Sequence, residues 1–154
     1  MNTQTVAVDQ RIAALAKFLE CDADEIREAR YGNNVYEIGR TEYLVLTDAE
    51  ADESCKEYVR ESAWAFNASF LSDKTGLPEA MFTAVQDKCE GANDAVLQCI
   101  EQSCGLDYFV SDAISADGRG HFLASYDGNE NEVFIEGDEE AETDDTSYYI
   151  YRTN

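Results

Sequence analysis

The chain has 154 residues, enough for one domain that buries about two-thirds of the surface its unfolded form exposes. Hydrophobic residues make up 44% of it, with seven Phe and nine Tyr, which excludes a generally disordered chain. Against 33 acidic residues stand 11 basic ones, a formal net charge of −22, so direct binding of nucleic acid or of an anionic membrane is disfavoured and a basic partner is favoured.

Residues 1–7 read as frayed. They lack the basic region and apolar core of a secretion signal, and no apolar run approaches membrane-spanning length. Five cysteines, Cys21, Cys55, Cys89, Cys99 and Cys104, are an odd number at no metal-ligand spacing, as expected in a reducing cytoplasm. Residues 9–19 place Ile12, Leu15, Ala16 and Leu19 on one helical face. Asp22 to Glu25 reads as the cap and first turn of a second helix reaching Arg30. After the turn Tyr31-Gly32-Asn33-Asn34, residues 35–38 and 43–46 read as a β-hairpin across Gly39-Arg40-Thr41.

The second hairpin strand runs straight into a helix expected over residues 48–71. Thr47 is its N-cap, Glu50 completes a capping box, and Asp48 and Glu50 suit the positive end of the helix dipole. Ala51, Cys55, Tyr58, Val59, Ser62, Ala65, Phe66, Ser69 and Phe70 share one face. Glu50, Glu53, Glu57 and Glu61 form a stripe on the other, with Trp64 at its end. Pro78 then opens a helix over 79–89 at its first position, with Met81, Phe82, Val85 and Cys89 inward. Helices follow over 92–104 (Ala95, Val96, Cys99 and Ile100 inward) and 106–116 (Phe109, Val110 and Ile114 inward), separated by Gly105. Asp117 to Gly120 reads as a turn, residues 121–126 fit either helix or strand, and 148–151 form a terminal strand. The expected fold is a single α+β domain over 1–154, in which a small antiparallel sheet, the hairpin plus the C-terminal strand, is covered by several helices.

Between Gly120 and Tyr151 there is no Lys or Arg against ten acids: Asp127, Glu130, Glu132, Glu136, Asp138, Glu139, Glu140, Glu142, Asp144 and Asp145. That run reads as a mobile acidic loop over about 127–146, pinned at both ends. Spread evenly over a globule of this size, −22 would be roughly one charge per 350 Å², against about one per 100 Å² on duplex DNA. Imitating DNA therefore requires clusters, and the stripe and the acidic run are the two clusters present.

Three kinds of chemistry compete for these residues. Residues 127–131 set oxygen side chains at alternating positions with Asp138 at the twelfth place, yet Glu132 stands where an EF-hand loop needs Gly, and a solvated turn is the alternative. No metal or cofactor is expected. The single histidine, His121, with Asp117 or Asp127 near it in sequence, offers a base for a small enzyme. No Ser, Cys or metal partner stands at informative spacing, so a hydrogen-bonded structural His is expected and no enzymatic activity is assigned. The stripe repeats carboxylates about every 5–6 Å along a helix, near phosphate spacing, with a solvated face as the alternative. Trp64 beside it is either buried or an interface anchor.

The segments YGNNVYEIGRTEYLVLTDAEADE, SAWAFNASFL and DGRGHFLASYDGNENE, with YYIYR near the end, resemble a family of small acidic proteins of tailed bacteriophages and prophages. The resemblance covers most of residues 30–154. It implies phage origin and the cytoplasm of a bacterial host, and brings no catalytic residues. Small acidic phage proteins include DNA mimics that block restriction or CRISPR–Cas complexes. By that analogy the expected function is anti-defence: binding a basic surface of a nucleic-acid-handling host complex. The partner-binding residues expected are Glu50, Glu53, Glu57, Glu61 and Trp64, the stripe ranking first, then Asp127, Glu130, Glu132, Glu136, Asp138, Glu139 and Glu140. The alternative is a host-takeover protein acting through protein contacts without mimicry.

Overall fold

In the computed structural model, residues 3–87 and 89–154 are described. They fold as two compact units, Met1–Asp52 with Gly118–Asn154, and Glu53–Asp117. The fold is α+β, as the hydrophobic patterning predicts: seven α-helices and one five-stranded antiparallel sheet among the described residues.

The first unit holds helix α1 (Thr3–Leu19), strands β1 (Arg27–Glu28), β2 (Val35–Ile38), β3 (Thr41–Thr47), β4 (Asn131–Ile135) and β5 (Thr146–Arg152), and the short helix α7 (Arg119–Leu123). Strand order is β1-β2-β3-β5-β4, every neighbour antiparallel. The register Ile38↔Thr41 closes the hairpin through Gly39-Arg40, with Gly39 at φ +59°. Tyr36, Tyr43, Val45, Val133, Tyr148 and Ile150 share one sheet face and pack with Ala14, Leu15 and Ile26. The fully buried pair Ala14 and Leu15 shows which α1 stripe faces the sheet, while Ile12, Ala16 and Leu19 flank it half-buried. Val35, Leu44, Leu46 and Tyr151 lie on the other sheet face, where α7 packs against β5.

The second unit begins within helix α2 (Asp48–Ser62) and continues through α3 (Ala68–Thr75), α4 (Glu79–Gln86), α5 (Asn93–Ser103) and α6 (Leu106–Asp117). Its buried side chains include Cys55, Val59, Leu71, Phe82, Val96, Ile100, Phe109 and Ala113.

Several expectations are corrected. The helix expected over 48–71 stops at Ser62, passes through a 3-10 turn at Ala63–Ala65, and restarts at Ala68. Two amide side chains hold that break. Asn93 accepts the Trp64 N–H (3.2 Å) and donates to the Arg60 carbonyl (2.7 Å), while Gln86 donates to the carbonyls of Trp64 (2.9 Å) and Phe66 (2.6 Å). Asn67 caps the restart by accepting the Ser69 N–H at 2.9 Å. The expected buried face therefore holds for Ala51, Cys55 and Val59 and then shifts: Ala63 is buried, Ala65, Ser69 and Tyr58 are exposed, and Phe66 and Phe70 are half-buried.

The helix expected over 22–30 shrinks to a 3-10 turn at Ala23–Glu25, because Ile26 turns extended and is buried, and Arg27 and Glu28 pair with Glu37 and Tyr36. Helix α1 starts at Thr3 rather than residue 9, and the expectation for residues 1 and 2 lies outside the described residues. Pro78 is the N-cap of α4 rather than its first residue, α4 ends at Gln86, and the Cys89 side chain lies outside those described. Within α5, Ala95 faces solvent while Val96 and Ile100 are buried. Residues 119–123, read as turn and ambiguous segment, are helix α7. Residues 131–135, read as loop, are strand β4 paired along β5. Glu132-Val133-Phe134-Ile135 has strand periodicity, with Val133 inward, but the surrounding acids mask it.

Candidate acidic interface

The helical stripe does not present four equivalent carboxylates. Glu50 closes the capping box with Thr47, whose N–H donates to it at 3.0 Å, and also accepts Arg11 (2.8 Å) and Asn34 Nδ2 (3.1 Å). Arg11, buried under the sheet, further donates to the Val45 carbonyl at 2.7 Å and lies 5.5 Å from the Tyr148 ring. Burial alone would push the Glu50 carboxyl up, yet the hydrogen bonds from Thr47 and the Arg11 guanidinium outweigh it and hold the group below the usual carboxylate range. Glu50 is thus a structural residue, not an open partner contact. Glu57 and Glu53 are exposed, but Arg60 pairs with Glu57 and reaches Glu53 at 4.0 Å, and Lys56 pairs with Asp107 at 2.6 Å. Glu61 is exposed. Trp64 is half-buried in the 3-10 turn beyond the helix rather than on the stripe.

The segment from Asp127 to Asp145 is built differently. Arg119, its side chain 9% exposed, anchors its start: the guanidinium donates to Glu130 (2.7 Å), to Asp48 (2.9 Å) and to Asp52 (3.0 Å), and lies 4.5 Å from the Tyr149 ring. Burial opposes its charge, but these three carboxylates win and push its pKa further up. Tyr151 also donates its hydroxyl to Glu130 at 2.5 Å. Asp127 accepts the Asn129 N–H at 3.0 Å. Gly120 lets the segment close on α7: a Cβ there would lie 2.3 Å from the Gly128 carbonyl oxygen.

From Asn131 the chain is strand β4, at the edge of the sheet. Its outward positions carry Glu132 and the exposed Phe134, and Glu136 follows exposed. The turn between β4 and β5 is tied by its own side chains: the Gly137 N–H donates to Asp145 (2.7 Å), the Asp138 N–H to the Thr143 hydroxyl (2.8 Å), and the Glu140 N–H to Asp138 (2.9 Å). Of the ten acids in the cation-free run, Glu130 alone has a Lys or Arg within 4 Å among the described residues. Asp127, Glu132, Glu136, Asp138, Glu139 and Glu140 are all exposed. The geometry therefore reverses the sequence ranking: among the described residues the densest acids without a paired cation are in the turn after β4, whereas Arg60 offsets Glu53 and Glu57 on α2 and Lys17 reaches the Phe134 carbonyl on β4.

The other chemistries fare as follows. β4 occupies the middle of the span 127–138, so the EF-hand-like register has no loop to form, and no group of three or more His, Cys, Asp or Glu is placed to hold a metal among the described residues. His121 is exposed on α7, edge-on to the Phe122 ring at 5.0 Å, while Asp127 caps its own turn and Asp117 ends α6 in the second unit. Among the described residues no helix is long and apolar enough to cross a membrane. Among the described residues His121 makes no side-chain hydrogen bond, and Asp127 accepts the Asn129 N–H rather than pairing with it. The Arg119 clamp was missed, although the last cation before a cation-free run is a sequence signal for such an anchor. Comparison with protein families, with curated proteins and with solved structures gave no match.

Proposed function

We propose that this chain is a phage-derived anti-defence protein, acting in the bacterial host cytoplasm, that occupies a basic nucleic-acid-binding surface of a CRISPR–Cas or restriction complex. Its carboxylates stand in for phosphates. The observation that carries this reading is the run of exposed acids on the β4 edge and its turn, of which only Glu130 pairs with a Lys or Arg among the described residues; Lys17, the one cation on that edge, donates to the Phe134 carbonyl (2.9 Å) rather than to a carboxylate. Charge left uncompensated costs self-repulsion in the free protein and is relieved by a basic partner. The side-chain hydrogen bonds of the turn fix its shape before contact, which lowers the entropic cost of binding. Replacing Glu136, Asp138, Glu139 and Glu140 with Lys tests it: the folded variant should lose the basic partner, and unchanged binding would overturn the reading.

One observation favours regulatory protein contact without mimicry. Phe134 stands 46% exposed between Glu132 and Glu136, and an exposed ring is an anchor of protein interfaces rather than a copy of a phosphate. Under that reading Phe134→Ser abolishes binding and added salt weakens it little, whereas mimicry weakens steeply with salt.

A further inference from the structure

Strand β4 is one border of the sheet, and the register shows which of its backbone groups face outward. The Thr153 N–H donates to the Glu42 carbonyl at 3.0 Å, one step beyond the pair Tyr43↔Arg152. Hydrogen bonding alternates along an antiparallel pair, so residues 147, 149 and 151 of β5 bond to β3, and residues 146, 148 and 150 bond to β4. Their β4 partners are Ile135, Val133 and Asn131. The N–H and C=O of Glu132 and Phe134 therefore point away from the sheet, onto its open edge. Lys17 agrees with that direction, since its ammonium reaches the Phe134 carbonyl at 2.9 Å. That carbonyl keeps a second lone pair. The Phe134 N–H and both backbone groups of Glu132 have no hydrogen-bond partner among the described residues.

We infer that this edge adds a strand: an extended, basic segment of the partner pairs with β4 through Glu132 and Phe134. The inference rests on the anti-defence reading for its basic partner and names the part of that partner which docks. An open edge templates pairing with an extended chain, and the side chains decide which chain. Glu132 and Phe134 lie two residues apart and share the exposed face, with Glu136 just past the strand end. Side chains directly opposite on paired strands stabilise when one is basic and one acidic, or when an aromatic meets a β-branched residue. The segment that fits therefore reads basic–any–apolar–any–basic, with the apolar residue opposite Phe134 and a basic one opposite Glu132. A second copy of the chain fits badly. Pairing two β4 edges about Phe134 sets Glu132 of each against Glu136 of the other, and like charges directly opposite destabilise. Each copy also brings a net charge of −22.

The test is amide hydrogen exchange of the full chain, read residue by residue by NMR, with a capped Thr-Lys-Thr-Val-Thr-Lys-Thr peptide as the probe. At ten times its Kd the peptide leaves about one-tenth of the edges open, so the Glu132 and Phe134 amides should exchange about tenfold more slowly. Replacing both Lys of the peptide with Glu should abolish that protection. N-methylation of its Val and both Lys keeps the charges but removes the N–H groups that face β4, and should weaken binding about tenfold or more. On the protein, Phe134→Pro removes the edge N–H and leaves the bonds to β5, whereas Phe134→Val keeps both, so only the Pro variant should lose the peptide. Equal binding by the N-methylated or the Glu peptide overturns the inference. So does protection that appears without peptide and grows with protein concentration, the mark of a second copy. Shifts gathered at 136–145 with no slowing at Glu132 and Phe134 overturn the edge while supporting the acidic-run reading. No response to the Lys peptide at millimolar concentration overturns the inference alone; the acidic-run reading falls separately, if the Glu136/Asp138/Glu139/Glu140→Lys variant keeps its partner.

Discussion

Glu50→Ala should be among the most damaging single changes to the first unit, although its side chain is 34% exposed. Two losses combine. The capping box at the start of α2 goes, typically about 1 kcal/mol. Arg11, with its side chain 10% exposed, is left without its carboxylate. Removing one partner of a fully buried pair costs about 3–5 kcal/mol. Here Arg11 keeps the Val45 carbonyl and Glu50 is partly solvated, so about half of that applies. The expected destabilisation is therefore about 3 kcal/mol, read from urea unfolding at neutral pH. Arg11→Met should recover part of it, with a coupling of about 1–2 kcal/mol in the double-mutant cycle. Because the folded Glu50 carboxyl lies below its ordinary value of 4.5, its contribution is fully present above that pH and fades as pH falls through the lower folded value. Glu50→Gln should flatten stability against pH in that acidic window. A loss below about 1 kcal/mol for Glu50→Ala, or simple additivity with Arg11→Met, would refute this account of the cap.

Gly120→Ala should destabilise by about 1–3 kcal/mol in the same assay, since its Cβ would collide with backbone atoms of residues 128–130 and force them to shift; a neutral result would mean the acidic segment does not close on α7. Asn93→Ala removes both the acceptor for the Trp64 N–H and the donor to the Arg60 carbonyl, and should cost about 1–3 kcal/mol with a change in Trp64 fluorescence. EDTA should leave the melting temperature unchanged, and a drop of several degrees restored by calcium would return residues 127–138 as a metal site.

What was legible in the sequence was whatever local chemistry decides. The T-D-A-E box, the Gly39 turn, the Gly-Asn-Asn reversal and the C-terminal strand all appear in the structure because capping, positive φ and β-branched or aromatic runs act within a few residues. The misses came from distant partners. Nothing near Ala63 signals a break in a good helical pattern; Asn93 and Gln86, more than twenty residues on, supply the hydrogen bonds that make the break affordable. Ile26 leaves its helix because a sheet edge and the α1 core claim it. β4 was hidden by its charge, since Glu132 is an outward residue of a half-buried strand, Glu136 follows its end, and both read as part of a solvated run. Of the candidate site, composition identified the acidic run, but the demotion of Glu50 needed Arg11, 39 residues away.

The most direct measurement is retention of a nucleic-acid-handling complex from bacterial lysate on the immobilised full chain, eluted by a salt gradient. Three proteins are compared: the parent, the Glu136/Asp138/Glu139/Glu140→Lys variant, and a Glu53/Glu57/Glu61→Lys variant of the helical stripe. The turn carries uncompensated charge whereas Arg60 already offsets Glu53 and Glu57. The parent should therefore hold a basic complex that nucleic acid competes away, the turn variant should release it at about 0.15 M salt, and the stripe variant should retain more than the turn variant. Equal retention by all three, insensitive to salt and to competing nucleic acid, would contradict the account.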